Sequence, residues 1–186
     1  GSHRYQGRWA GPPIGATRAA TVKSAARTRS EPLAMPDQRQ HRGRHPADGR
    51  LFASARVPVL RQATEELSWL FERGYSQVAA LKLVGDRLGL RERQRLAVLR
   101  SACGESAAAE RGRRRLAVAK LQGLRLAVDG FNCLITAEAA LSGGLLLRGR
   151  DRALRDLSSV HGSYRPVQET ERALRLLGSV IAAAAP

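Results

Sequence analysis

Between Gly123 and Cys133 the chain reads Leu124-Arg-Leu-Ala-Val-Asp-Gly-Phe-Asn132, and no other stretch constrains the fold so tightly. Five strand-like residues end at an acid, then a glycine, then an asparagine two residues further on. A short apolar run bounded by Gly123 and by Asp129-Gly130 is the pattern of a buried parallel strand. Ligands of open α/β sheets bind beyond the carboxyl ends of the strands, so Asp129 falls where a metal ion or a phosphate is handled.

The residues that follow extend this reading. Cys133 to Leu141 forms a helical pattern closed by Ser142-Gly143-Gly144, and Leu145-Leu-Leu-Arg148 reads as a second strand. Strand, helix and strand at this spacing make a βαβ unit, which crosses over right-handed. The loop Gly149-Arg150-Asp151-Arg152 then leads through Asp156 to Val160-His161-Gly162-Ser163-Tyr164-Arg165, and Pro166 suits the first turn of a last helix running to about Ala184. Two parallel strands cannot cover their own faces and edges. The expectation is a parallel α/β domain over 123–186 that is incomplete at its C-terminus, or one whose remaining strands come from a partner, a homo-oligomer included.

Residues 45–122 read as a separate helical bundle. From Val57 to Arg73, Leu60, Ala63, Leu67, Leu70 and Phe71 recur at helical spacing, and Gly74 stops the run. Ser76 is the expected N-cap of a second helix with Val78, Leu81, Val84 and Leu88 on its inner face, ended by Gly89. A third helix from Arg91 to about Cys103 carries Arg91, Arg93, Arg95 and Arg100, either a face that reads a phosphate backbone or a solvated side. A polar helix from Ser106 to Gln122 holds Arg111-Gly-Arg113-Arg114-Arg115, a phosphate-facing patch or a solvated connector.

Residues 1–50 carry ten Lys and Arg against three acids and five of the eight prolines. With few large aliphatics such a stretch cannot bury enough surface to offset its chain entropy, so 1–44 is expected to be a disordered basic segment. It contains the sole methionine, Met35, an alternative translation start, and Gly1-Ser2-His3 has the look of a cloning remnant. The net charge of +16 favours a polyanionic partner, nucleic acid and RNA above all, although only Lys23, Lys82 and Lys120 are lysine and so arginine-rich a composition is also what a GC-rich genome writes. Cys103 and Cys133 do not form a disulfide framework, and the amino terminus lacks an apolar leader, which together point to the cytoplasm.

The chemistry-bearing candidates gather around Asp129. A carboxylate held at a strand end suits Mg²⁺ or Mn²⁺, hard ions that prefer oxygen, and the competing reading is a helix cap. Asn132 would orient a water or phosphate, or satisfy backbone donors. Glu138, Asp151 and Asp156 could converge on Asp129, with Asp129, Glu138 and Asp151 as metal ligands and Asp129, Asn132 and Asp156 as the catalytic set. Alternatively Asp151 and Asp156 pair with Arg150, Arg152 and Arg155. Phosphate contacts fall to Arg113, Arg114, Arg115, Arg150 and Arg165. Zinc spacing, a phosphate-binding Gly-Lys-Ser/Thr loop and a nucleophile elbow are missing, and His41 and His45 lie in or beside the basic segment without cysteine partners.

Through His45-Pro-Ala-Asp48, Glu65-Glu-Leu-Ser-Trp69-Leu, Arg73-Gly-Tyr75, Leu83-Val-Gly-Asp86-Arg and Arg93-Gln-Arg95, and again from Asp129-Gly-Phe-Asn132 to Tyr164-Arg165, the chain resembles an uncharacterised prokaryotic two-domain family. Its parts are domain of unknown function 434 and domain of unknown function 5616. The second part in turn looks like PIN and NYN ribonuclease domains, whose first strand ends in a similar Asp-Gly-x-Asn and whose metal site gathers several acids. That resemblance implies a Rossmann-like parallel sheet and a Mg²⁺- or Mn²⁺-dependent endoribonuclease, with Asp129 and Asn132 matching the motif by position. The rival expectation is a non-catalytic nucleic-acid-binding or adaptor module.

Overall fold

The computed structural model describes residues 40–158 and 164–184, all within one compact unit spanning 37–186. Met35, His161 and the disorder expected of residues 1–39 lie outside the described residues. The described chain is mostly helical, with seven helices and one two-stranded antiparallel sheet.

A short helix, α1 (Asp48–Leu51), and a 3-10 turn at Ser54–Arg56 lead into α2 (Val57–Glu72), which starts with Pro58 in its first turn. Its buried stripe is Ala63, Leu67 and Leu70. Gly74, at φ 78°, turns the chain in the left-handed region, and Tyr75 N–H reaches back to the Leu70 carbonyl at 3.1 Å to close the helix. Ser76 then caps α3 (Gln77–Arg87), its hydroxyl accepting from Ala79 N–H at 3.3 Å. α4 (Glu92–Ser101) begins where the Gln94 side chain accepts the Arg91 N–H at 3.0 Å. Ala63, Leu67, Leu70, Ala80, Val84, Leu90 and Val98 form the core of this three-helix part.

Val78, expected on the inner face of α3, is 81% exposed, and Ala80 takes that place. Ala80 belongs to the core where α3 packs on α2. α5 (Glu105–Arg114) is shorter than the expected Ser106–Gln122 helix, and a 3-10 turn at Val118–Lys120 follows it.

The largest correction concerns the sheet. Leu124–Val128 forms no strand: its backbone is irregular, and Leu124, Leu126 and Val128 stay 44–47% exposed. After α6 (Gly130–Leu141), β1 (Leu146–Arg148) pairs antiparallel with β2 (Leu154–Asp156), Leu147 opposite Arg155. The reason is proximity. Arg152 adopts φ 63° and closes the turn through Arg152 N–H to Gly149 O at 2.8 Å and Gly149 N–H to Ala153 O at 3.0 Å. β1 therefore finds its partner within one hairpin, and the parallel PIN-like sheet is not formed among the described residues. The last helix, α7 (Thr170–Ala184), packs on α6.

Two arginines of α4 join the helical part to the hairpin. Arg93 grips Asp48 with both arms, at 2.5 and 3.0 Å, and donates to the Leu157 carbonyl at 3.1 Å. Arg100 donates to the Asp156 carbonyl and side chain. Arg95 meets Asp86. Three of the four arginines expected to face a phosphate backbone are thus engaged inside the protein. Among the described residues no helix is long and apolar enough to cross a membrane.

Candidate nucleic-acid interface

The acids around the Asp-Gly-Phe-Asn turn are separated by the fold. Asp129 caps α6, one oxygen accepting the Asn132 N–H at 3.4 Å and the other the Asn132 side-chain amide at 2.6 Å. Both residues are exposed. Glu138, by contrast, is fully buried. It accepts from the Arg42 guanidinium, from the Tyr164 hydroxyl at 2.5 Å and from the Thr170 hydroxyl at 2.5 Å.

Asp151 sits in the hairpin turn between Arg155 and Arg111. The Arg155 guanidinium, foremost, outweighs the opposing effect of burial and holds its carboxyl far below the usual range. Asp156 is buried, and burial works to raise its pKa, but the Ser158 N–H, Arg100 and the Thr136 hydroxyl together hold it below the usual carboxylate value. Each acid therefore has its own cationic or donor partner. Among the described residues no group of three or more His, Cys, Asp or Glu is arranged to hold a metal ion, so the expected convergence of Asp129, Glu138 and Asp151 does not occur there.

Arg42 is the residue that sequence reasoning missed. Placed in the disordered segment on composition, it is 3% exposed, pairs with Glu138, donates to the Arg165 carbonyl at 2.8 Å and lies over the Tyr164 ring at 5.1 Å. Residues 40–44 are therefore anchored to the C-terminal half, and Arg165 contributes its backbone there while its side chain is exposed.

Cations without a protein partner occur elsewhere. A groove of about 770 Å³ opens between α2 and the β1 hairpin. Arg61 and Arg73 line it from the α2 part and Arg148 and Arg150 from the hairpin, and Trp69 and Leu147 line it as well. The Trp69 ring is half exposed and carries the Arg73 guanidinium at 3.5 Å. Arg61, Arg148 and Arg150 form no ion pair among the described residues. Glu65, Glu72 and Glu105 also line the groove, and Glu72 is occupied by the Ser106 hydroxyl and N–H, which keep its carboxyl ionised below its ordinary value.

Next to the groove wall, α5 displays Arg113 and Arg114, each paired to Glu110 in solvent, and an exposed Arg115. Exposed pairs of this kind are worth about 0–1 kcal/mol and do not withdraw the arginines from a competing phosphate.

Residues 59–114 match the family model described as protein of unknown function (DUF434), and residues 118–186 match domain of unknown function (DUF5616). The chain carries both domains, one after the other. The uncharacterized protein MJ0935 of Methanocaldococcus jannaschii is 27% identical over 122 residues, which cover 66% of this chain and 59% of that relative. The chain thus spans less than two thirds of the relative's length. No solved structure matches the chain.

The joint between the two domains falls at the end of α5. Arg61, Trp69 and Arg73 of the groove belong to the DUF434 domain and Arg148 and Arg150 to the DUF5616 domain. Residues of both matched stretches thus line the one groove.

Proposed function

We propose that this chain is a nucleic-acid-binding module that holds single-stranded RNA in the groove shared by the DUF434 and DUF5616 domains. The observation that carries the reading is the set of three unpaired arginines, Arg61, Arg148 and Arg150, around an exposed tryptophan. Nearly every cation near an acid is paired, so cations left free across a groove are placed for a ligand that brings its own negative charge. Phosphates would meet the arginines, and one base would stack on Trp69, a contact worth about 1–3 kcal/mol. The net charge of +16 adds long-range attraction and a steep dependence on salt. A cytoplasmic setting accords with both free cysteines.

Binding of labelled single-stranded RNA, measured with Mg²⁺ or Mn²⁺ and with chelator, tests this. The reading requires salt-sensitive binding that is indifferent to the metal. RNA that fails to bind at low salt removes it.

A second reading, a metal-dependent PIN-type ribonuclease, keeps support from the solvent-facing Asp129 and Asn132 at the mouth of α6. Under it, Mg²⁺ or Mn²⁺ would be held at Asp129 by groups beyond those gathered in the described residues. Metal-dependent cleavage that disappears in Asp129→Asn would favour the nuclease over the binding module.

A further inference from the structure

A smaller pocket, of about 250 Å³, lies beside the groove, and Leu145 lines both. His41, Arg42, Arg44, His45 and Arg93 are in its wall, and among the described residues no acid is. Two of these cations are neutralised from behind, Arg42 by Glu138 and Arg93 by Asp48, which fixes their positions. Among the described residues the Arg44 guanidinium has no hydrogen-bond or ion-pair partner.

The two imidazoles are also oriented by their surroundings. His45 Nδ1 accepts the Ala47 N–H at 3.1 Å, which leaves the proton on Nε2. His41 Nδ1 bonds Glu169 Oε1 at 2.6 Å, so its Nε2 is the nitrogen left for another ligand. The second oxygen of Glu169 is buried with no hydrogen-bond partner among the described residues.

We propose that this pocket binds a terminal phosphate monoester of the nucleic acid strand, an inference that rests on the groove reading above. A phosphodiester in the strand carries one charge and is served by the open arginines of the groove. A monoester carries nearly two charges and three acceptor oxygens, and so calls for a cluster of donors rather than a single arginine. Arg44 and His45 Nε2 supply donors, His41 lines the same pocket, and the cavity has room for one phosphate and its sugar. A strand lying in the groove would bring its end past Leu145 to the pocket.

The test is fluorescence anisotropy with three short single-stranded RNAs of one sequence, bearing a 5′-phosphate, a 3′-phosphate or hydroxyls at both ends. Each is titrated against the full chain and against the Arg44→Gln and Arg150→Gln variants. One phosphorylated end should bind about tenfold tighter than the unphosphorylated strand, in line with one added charge-assisted hydrogen bond. Which end it is identifies the terminus held. The preference should vanish in Arg44→Gln, whose side chain is exposed and unbonded, and survive in Arg150→Gln, which should weaken all three strands alike.

Equal affinity for the three strands overturns the pocket and leaves the groove intact. A preference that persists in Arg44→Gln also overturns it. Failure of every strand to bind removes the groove reading together with the pocket.

Discussion

Arg42 and Glu138, 96 residues apart, form an ion pair with side chains 1% and 0% exposed. The pair ties the segment entering α1 to α6, and Tyr164 and Thr170 complete the carboxylate's hydrogen bonds. Removing one member leaves the other buried without its counter-charge, which costs about 3–5 kcal/mol. Arg42→Met should therefore lose about that much stability in urea denaturation, and an apolar Arg42→Met/Glu138→Leu double variant should recover part of it. A loss below about 1 kcal/mol in Arg42→Met would show that the pair does not anchor the segment.

Stability should fall on the acid side. Burial works to raise the pKa of Asp48, but the Arg93 guanidinium and the His45 N–H outweigh it, and Asp151 and Asp156 are likewise held low. An unfolded Asp takes up its proton near pH 3.9, before these folded ones do. Their contribution is thus complete above about pH 5 and drains away as the pH falls through the unfolded value toward the folded ones. Urea midpoints measured from pH 7 to pH 3 should drop below about pH 4, less steeply in Asp48→Asn compared at matched starting stability. A flat profile across that range would contradict the assignment.

Two glycines should respond in opposite directions. A Cβ on Gly144 would stand 2.8 Å from the Arg42 carbonyl oxygen and 2.9 Å from that of Ala139, both backbone atoms that cannot step aside. Gly112 lies in exposed α5 with open space around it. Gly144→Ala should lower the melting temperature, whereas Gly112→Ala should raise stability by about 0.5–1 kcal/mol through helix propensity. Equal effects at both positions would remove the close approach of residues 42 and 144.

Local signals in the chain were legible because their causes are local. Gly74 and the Ser76 cap mark where α2 ends and α3 begins, and both operate within a few residues. The sheet was not legible. A short apolar run states that it wants burial but not which strand will lie beside it, and β1 pairs with β2 across a five-residue connection while Leu124–Val128 stays unpaired. The same limit governs the charges. Arg93, Arg95 and Arg100 look solvent- or phosphate-facing along α4, and only the fold supplies Asp48, Asp86 and Asp156 to receive them. Arg42 was hidden twice over, by the basic composition around it and by a partner far along the chain. Of the candidate site residues, Asp129 and Asn132 do meet at the mouth of α6, in the capping geometry that was the competing reading. Arg150 does border the groove, but Arg61, Trp69 and Arg148 carry no local pattern that distinguishes them.

The groove is tested most directly by the salt dependence of RNA binding in the chain and in an Arg61→Gln/Arg148→Gln/Arg150→Gln variant. For single strands each neutralised phosphate contributes about −0.7 to the slope of log K against log salt. The account predicts that the variant's slope is shallower by about 2, with Trp69→Ala weakening binding at unchanged slope. An unchanged slope in the triple variant would place the phosphates elsewhere and contradict the groove as the binding site.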